Sequence, residues 1–588
     1  VFDRQLDTTA ARTPAASNSQ KSKNGDGSLL MKILLIYPYF LEKRIHEDEI
    51  SVPPQGLYFV GAMLQSHGYE VKLRNWYDAG PDAGQIPETL QELRPDVIGF
   101  SILHANRWGG VEIAGIARKL LPATKIVFGG IGAGCLWEHL LTHFPQIDAV
   151  VIGEGEKSFL NLVRHYEKAR PSLEAIGGIA YRRNGHPTRN ACDPLIRDLD
   201  ELPNPARYFS YRHLSLTRGC PGECAFCGSP GLWGRRVRFH SATYFVDQLE
   251  MLYRRGVGHF FISDDTFTVN RKKTIAVCRE IISRKLPIVW QAISRVDMID
   301  EEILLEMRKA GCIQISYGVE SGSEKIRKLL KKNCSADEIE KAFALTARYG
   351  ILSRAYFIYG CPGETDDTVD ETIALIRRIK PLGTIFYILD IFPGTELYRD
   401  YRERCGVTDD VWLERIEDIL YFETDPALSR EQVLAFGRKL RNAFYDSLPG
   451  FVDALQLADI DELYPFHADF LSRLAMTFDH GDYSTVDAIN GKGAIARKLY
   501  EKALAYHPDA RAYLGLGMQL QKAGRLQASV KLLAEATEHF PDDEKLNVCL
   551  GVSYMNLERY DDALGCFEPF RSSGQARHFL QICRQNRK

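Results

Sequence analysis

No stretch of eighteen apolar residues occurs anywhere in this chain, which excludes an ordinary membrane-spanning helix. The first thirty residues lack the apolar core of a secretory signal. Cysteine is sparse: thirteen in 588 residues, most of them scattered singly, which excludes a disulfide framework and suits a reducing cytoplasm. Neither charge sign is in excess. Lys and Arg number 74 against 77 Asp and Glu, a net charge of −3, so no global basic field favours nucleic acid or an anionic membrane. The length predicts several domains. Residues 1–30 are polar and rich in Ser, Thr, Ala and Asn, and read as a disordered leader, with a transit peptide as the alternative. Met31 opens the first clean strand and reads as an alternative start to Val1.

The exception to scattered cysteine is Leu216-Thr217-Arg218-Gly219-Cys220-Pro221-Gly222-Glu223-Cys224-Ala225-Phe226-Cys227. Its spacing is C-x3-C-x2-C, and the missing fourth ligand is informative. A structural zinc site closes with four ligands. A ferredoxin-type run supplies four thiolates. Three thiolates in eight residues can hold three irons of a [4Fe-4S] cluster and leave the fourth open to a small chelating molecule. This stretch resembles the signature of the radical SAM superfamily, including Phe226 just before the third cysteine. The resemblance implies that the open iron binds S-adenosylmethionine (SAM) and that reductive cleavage gives a 5′-deoxyadenosyl radical. It also implies an electron donor such as flavodoxin or ferredoxin.

Residues 31–175 alternate short apolar runs with amphipathic stretches, from Lys32-Ile33-Leu34-Leu35-Ile36-Tyr37 to Ala149-Val150-Val151-Ile152. That pattern predicts a doubly wound, Rossmann-like parallel sheet with ligands outside the carboxyl ends of its strands. Ser101, Leu103, Gly129, Gly130, Gly153, Glu154 and Gly155 fall at those ends. Placed before a radical SAM signature, Ser-x-Leu, Gly-Gly and Gly-Glu-Gly-Glu resemble the cobalamin-binding domain of cobalamin-dependent radical SAM enzymes. Pro53-Pro54-Gln55-Gly56-Leu57 and Asp78 add to the likeness. The Asp-x-His-x-x-Gly motif of better-known cobalamin domains is absent. The resemblance then implies base-off cobalamin with no protein histidine on the metal; a degenerate domain without cobalamin is the alternative.

Residues 176–210 read as a linker containing a strand pair about the Asn184-Gly185 turn. From 211 to 405 the βα alternation resumes with six candidate strands, which predicts a partial (β/α)6 TIM-like barrel with its site at the carboxyl ends. Asp264 and Asp265 follow the second strand, where the family contacts the SAM amino group; a helix N-cap is the other reading. Arg295 follows the third as a partner for the SAM carboxylate. Glu320, in Gly318-Val319-Glu320-Ser321-Gly322, follows the fourth as a further SAM contact. Gly360-Cys361-Pro362-Gly363-Glu364-Thr365 carries Cys361 where related families have leucine, which reads as a small hydrophobe.

Residues 406–475 are helical by pattern and aromatic-rich, expected either to cap the barrel or to pack as core. In 476–588, Ala503 and Pro508 recur as Ala536 and Pro541, and Leu516-Gly517 recurs as Leu550-Gly551. These offsets predict tetratricopeptide-like helical repeats, which bind a partner protein or mediate self-association. The leading reading is a radical SAM enzyme that methylates an unactivated carbon of a small-molecule or lipid-like substrate. Cyclisation, oxidation or rearrangement without methyl transfer is the first alternative. A non-catalytic repeat scaffold is the second. Two-cluster methylthiolation would need three more cysteines in the first domain, where only Cys135 and Cys192 are found.

Overall fold

The computed structural model describes residues 31–41, 53–80 and 83–587; the expected leader over 1–30 lies outside them. The chain first builds β1 (Lys32–Tyr37), α1 (Gln55–Ser66), β2 (Glu70–Asn75), α2 (Gln85–Leu93), β3 (Val97–Ser101) and α3 (Arg107–Leu120). Then come β4 (Lys125–Gly129), α4 (Ile131–Cys135), α5 (Trp137–His143), β5 (Ala149–Val151) and α6 (Gly155–Lys168). The strands pair in the order β2-β1-β3-β4-β5, all parallel. Helices cover both faces, so β1 is buried from its second residue to its last and reads as a continuous apolar run. The order reverses between β1 and β3, the switch point outside whose carboxyl ends sheets of this kind bind their ligands.

The Asn184-Gly185 turn joins β6 (Ile179–Arg183) to β7 (His186–Arg189), and this hairpin extends the same sheet antiparallel to β5. Asn184 and Gly185 both have positive φ (52° and 82°), as a tight hairpin turn requires.

The second sheet is formed by β8 (His213–Leu214), then, beyond the short antiparallel pair β9 (Thr217–Arg218) and β10 (Arg238–Phe239), by β11 (His259–Ile262), β12 (Val289–Ser294), β13 (Cys312–Glu320), β14 (Leu352–Tyr359) and β15 (Gly383–Ile388). Its six strands run parallel in the order β8-β11-β12-β13-β14-β15, with β8 and β15 at its edges. The expected partial barrel is therefore present, strand for strand. Its helices begin at side-chain caps: Asn270 caps the helix of 271–283, Asp300 that of 301–309 and Thr365 that of 366–379.

After the barrel, a short turn over Asp409–Leu413 leads into a strap that crosses both sheets' ends. Trp108 Nε1 of the first domain donates to Glu414 O at 2.8 Å, and Arg107 Nη2 to Ile416 O at 3.0 Å. On the barrel side, Ile391 N bonds Ile419 O and Tyr421 N bonds Leu389 O. Trp412 is fully buried here, edge-on to His104 and under Arg107. Phe436, Phe444 and Phe451 are likewise buried, so these helical-region aromatics are core.

The remaining chain is helical from Arg430 to Asn586. Gly517 and Gly551, 34 residues apart, each face a partner helix closely. A Cβ on Gly517 would meet Leu533 at 2.7 Å, and one on Gly551 would meet Phe567 at 2.5 Å. Leu533 and Phe567 are themselves 34 apart. Among the described residues, no helix is long and apolar enough to cross a membrane.

Candidate active site

The three-cysteine stretch leaves β9 as a loop held at both sides by backbone bonds: Ala225 N to Leu330 O at 3.0 Å, and Leu397 N to Ala225 O at 3.2 Å. Gly219 takes φ +105° to turn into the loop. Cys220, Cys224 and Cys227 are each partly exposed and lie close together: the charge of Cys220 raises the pKa of Cys224, and the charges of both raise that of Cys227. Burial pushes the Cys227 thiol up to about 11 and Cys224 upward as well. Thiols so placed stay protonated in water and ionise when iron binds them. A Cβ built on Gly222 would lie 3.4 Å from Cys220 Sγ and 3.9 Å from Cys224 Sγ. Gly222 N also donates to Cys220 Sγ at 3.4 Å, so the loop backbone turns a donor towards that sulfur. Three convergent thiols and this cradle fit a [4Fe-4S] group with one open iron.

The polar residues at the strand ends divide into those that face the cysteines and those that hold the frame. Asp265 is exposed, accepts from Ser229 Oγ, and its charge reaches Cys227. Arg295 lies beside the thiols, its Nη1 3.4 Å from the Gly222 Cβ position, and makes a two-pronged bond to Asp297 at 3.0 and 2.9 Å. Glu320 ends β13 at a bulge with φ +66°, a conformation that costs a non-glycine residue about 1–3 kcal/mol. Its carboxylate bonds Lys332 Nζ at 2.8 Å, with both side chains nearly buried, and both charges reach Cys224. Burial alone would lower the Lys332 pKa, but Glu320 and Cys224 hold it above its ordinary value.

Asp264 does something else. It is buried and accepts from Leu216 N at 2.9 Å and from Thr217 Oγ1, so it fixes the strand that delivers the cysteines. Burial pushes its carboxyl up to about 7. It does not cap a helix; Asn270 does that six residues later. Cys361 is fully buried with its thiol pushed well up by burial, as a small hydrophobe would be placed. The surrounding motif is a strand-to-helix turn. Gly360 and Gly363 take positive φ, Glu364 accepts the Gly360 and Cys361 amides, and Thr365 caps the helix.

In the first domain, Ser101 pairs with Gly129 where β3 and β4 end, and Leu103 follows. The glycines here serve the protein's own packing: a Cβ on Gly130 would meet Ile102 O at 2.5 Å, and one on Gly132 would meet Leu103 O at 2.5 Å. Gly153 (φ +81°) and Gly155 have no such crowding. Glu154 is the surprise. Its carboxylate accepts from Arg218 Nη1 at 2.6 Å, from Arg238 and from Ile196 N, while Glu156 takes the other arm of Arg218 at 2.5 Å. It ties the cysteine loop's leading strand to the first sheet.

The two strand-end faces meet through α4. A Cβ on Gly228, just past Cys227, would strike Ile131 Cδ1 at 2.9 Å, and one on Gly394 would strike Cys135 Sγ at 2.7 Å. Residues 214–376 match the model of the radical SAM superfamily, and residues 45–163 that of the B12 binding domain. The chain is also 30% identical over 381 residues to a Pyrococcus horikoshii protein named uncharacterized methyltransferase PH0819, covering 63% of this chain and 83% of that one. The chain belongs to the cobalamin-binding radical SAM enzymes.

Among other relatives of this cobalamin-binding radical SAM protein, anaerobic magnesium-protoporphyrin IX monomethyl ester cyclase of Rubrivivax gelatinosus is 28% identical over 402 residues, 64% of this chain and 71% of that one. The fold resembles the radical SAM methyltransferase TsrM of Kitasatospora setae, solved with cobalamin and a [4Fe-4S] cluster (TM-score 0.58, 17% identity, 81% of this chain and 100% of that one). It also resembles the cobalamin-dependent radical enzyme OxsB with aqua-cobalamin (TM-score 0.56, 16% identity, 95% and 84%). Lys332, Thr266 beside Cys220, and the Arg218 pairs escape sequence reading. Lys332 sits in a Lys-Lys run that looks like surface, and the partners of Arg218 lie more than sixty residues away.

Proposed function

We propose that this enzyme methylates an unactivated carbon of an organic substrate lodged between the two strand-end faces. The observation that carries the reading is the contact of α4, which follows Gly129-Gly130, with both Gly228 beside the cysteine loop and Gly394 at the barrel mouth. One substrate can then face both domains. When bound, a [4Fe-4S] cluster with SAM supplies a carbon-centred radical, and cobalamin supplies a transferable methyl group.

The chain's own part is to hold and orient. Cys220, Cys224 and Cys227 would ligate three irons, leaving the fourth for SAM. Asp265 and Glu320 offer carboxylate acceptors for the SAM amino group, and Arg295 a cation for its carboxylate. Ser101, Leu103, Gly129, Gly130, Gly153 and Gly155 would form the rim that receives cobalamin. Glu154 and Asp264 act through the frame. His104 stands one residue past Leu103, but its ring is buried between Trp412 and Phe392. That placement supports base-off cobalamin with no histidine on cobalt. The helices beyond residue 476, with their 34-residue recurrence, would offer a tetratricopeptide-like surface to a partner or a second copy. Flavodoxin or ferredoxin would supply electrons.

Cyclisation is the second reading, favoured by the cyclase relatives. One experiment separates the two. Protein reconstituted anaerobically with iron, sulfide and hydroxocobalamin is reduced with SAM alone, and both SAM products are counted. S-adenosylhomocysteine alongside 5′-deoxyadenosine supports methyl transfer. 5′-Deoxyadenosine alone would favour cyclisation or rearrangement.

A further inference from the structure

His139 and His143 lie four residues apart on α5, so both rings project from one face of the helix. Facing them is Asp410, in the turn that begins the strap after the barrel. Asp410 Oδ1 lies 3.2 Å from His143 Nε2 and 3.7 Å from His139 Nδ1. The three ligand atoms all fall within 4.8 Å of one another. A tetrahedral ion with bonds of about 2.0–2.1 Å needs its ligand atoms about 3.4 Å apart, so small side-chain rotations close the set.

The second observation is the state of His139. Its side chain is 2% exposed, and neither ring nitrogen has a hydrogen-bond partner. Nδ1 points at Asp410 from beyond hydrogen-bond range. A buried polar group left without a partner is destabilising, and a coordinated cation would relieve it. Burial, His143 and Arg107 hold its pKa at about 4, so the ring is the neutral ligand a metal requires. The charge of Arg107 is opposed there by Asp409 and Asp410. Access is available, since the side chain of Asp410 is 62% exposed and that of His143 34% exposed.

The geometry points to a divalent transition-metal site, of zinc type, formed by His139, His143 and Asp410, with a fourth position open to solvent. Two ligands come from the cobalamin-domain side and one from the strap. The bound ion would clip the strap onto the first domain, next to the Trp108–Glu414 and Arg107–Ile416 bonds. The site is independent of which reaction the enzyme performs.

The test is a calorimetric titration with Zn2+ of the full chain, after reconstitution with cluster and hydroxocobalamin so that the cysteine loop is occupied. Wild type should bind one zinc that survives gel filtration, and zinc should raise its thermal midpoint. The His143→Ala and Asp410→Asn variants, altered at the two more accessible ligands, should bind at least tenfold more weakly and lose the midpoint shift. A protein lacking all three loop thiols (Cys220→Ala, Cys224→Ala, Cys227→Ala) should keep the site. Wild type binding no zinc, or binding it with affinity unchanged in both variants, would overturn the proposal. His139→Ala is the weaker probe, because the buried ring also fills space.

Discussion

Arg218 Nη1 donates to Glu154 Oε1 at 2.6 Å, joining the strand that delivers the cysteines to the last parallel strand end of the cobalamin domain. Both side chains are under a tenth exposed, and Glu156 and Arg238 complete the network. Removing one partner of a buried pair strands the others, at about 3–5 kcal/mol. Arg218→Met should therefore lower the thermal midpoint and reduce iron retention, although no thiol is touched. Arg238→Met, which leaves both Glu154 and Glu156 bonded to Arg218, should cost less. Equal losses in the two variants would refute the central place of Arg218.

Replacing Cys220, Cys224 or Cys227 by alanine should drop reconstituted iron from about four per chain towards none, without loss of helical signal in circular dichroism. Cys361→Ala should keep full iron, since its buried thiol faces Ile358 O and not the loop. Iron and sulfide assays on anaerobically purified proteins decide this.

The stabilising contribution of the Asp264 carboxyl should fall as pH rises from about 4 to about 7, opposite in sign to that of His139, whose pKa is held at about 4. The Asp264 carboxyl goes from its ordinary 3.8 to about 7 in the folded chain, mainly by burial. Across that window the folded state holds a proton on Asp264 that the unfolded state has lost, so this group's contribution to the slope of stability against pH is negative and flattens above 7. Glu364, also raised by burial to about 7, adds to the same slope. Asp264→Asn should therefore make stability rise more, or fall less, between pH 4 and pH 7 than in wild type, as read from thermal midpoints at a series of pH values.

Two glycines in the C-terminal helices should respond with opposite sign. Gly551→Ala drives a methyl to 2.5 Å from the Phe567 ring and should destabilise by about 1–3 kcal/mol. Gly565→Ala meets nothing within 4 Å and should gain up to about 1 kcal/mol from helix propensity. Iron content should be unchanged in both, so chemical denaturation is the readout.

The cysteine loop is legible in the sequence because its chemistry lies in eight consecutive residues, and the strands are legible because buried parallel strands are short apolar runs. Residues whose meaning depends on distant partners are not. Asp264 reads equally as a SAM contact or a helix cap, and its bonds to Leu216 and Thr217 appear only once β8 and β11 pair. Glu154 sits in a glycine-rich strand end like any ligand residue, yet its oxygens are taken by Arg218 and Arg238, 64 and 84 positions away.

The sequence by itself determined the two sheets, their order along the chain and the three thiols, because periodicity and local spacing are properties of neighbouring residues. Tertiary structure decided which strand-end polar groups face the cysteine loop and which serve as struts. It also decided that Lys332 is a buried partner of Glu320, and that His139 and His143 face Asp410. Those outcomes depend on desolvation and on charges that approach only when the cobalamin domain, the barrel and the strap pack together, and no local pattern records that approach.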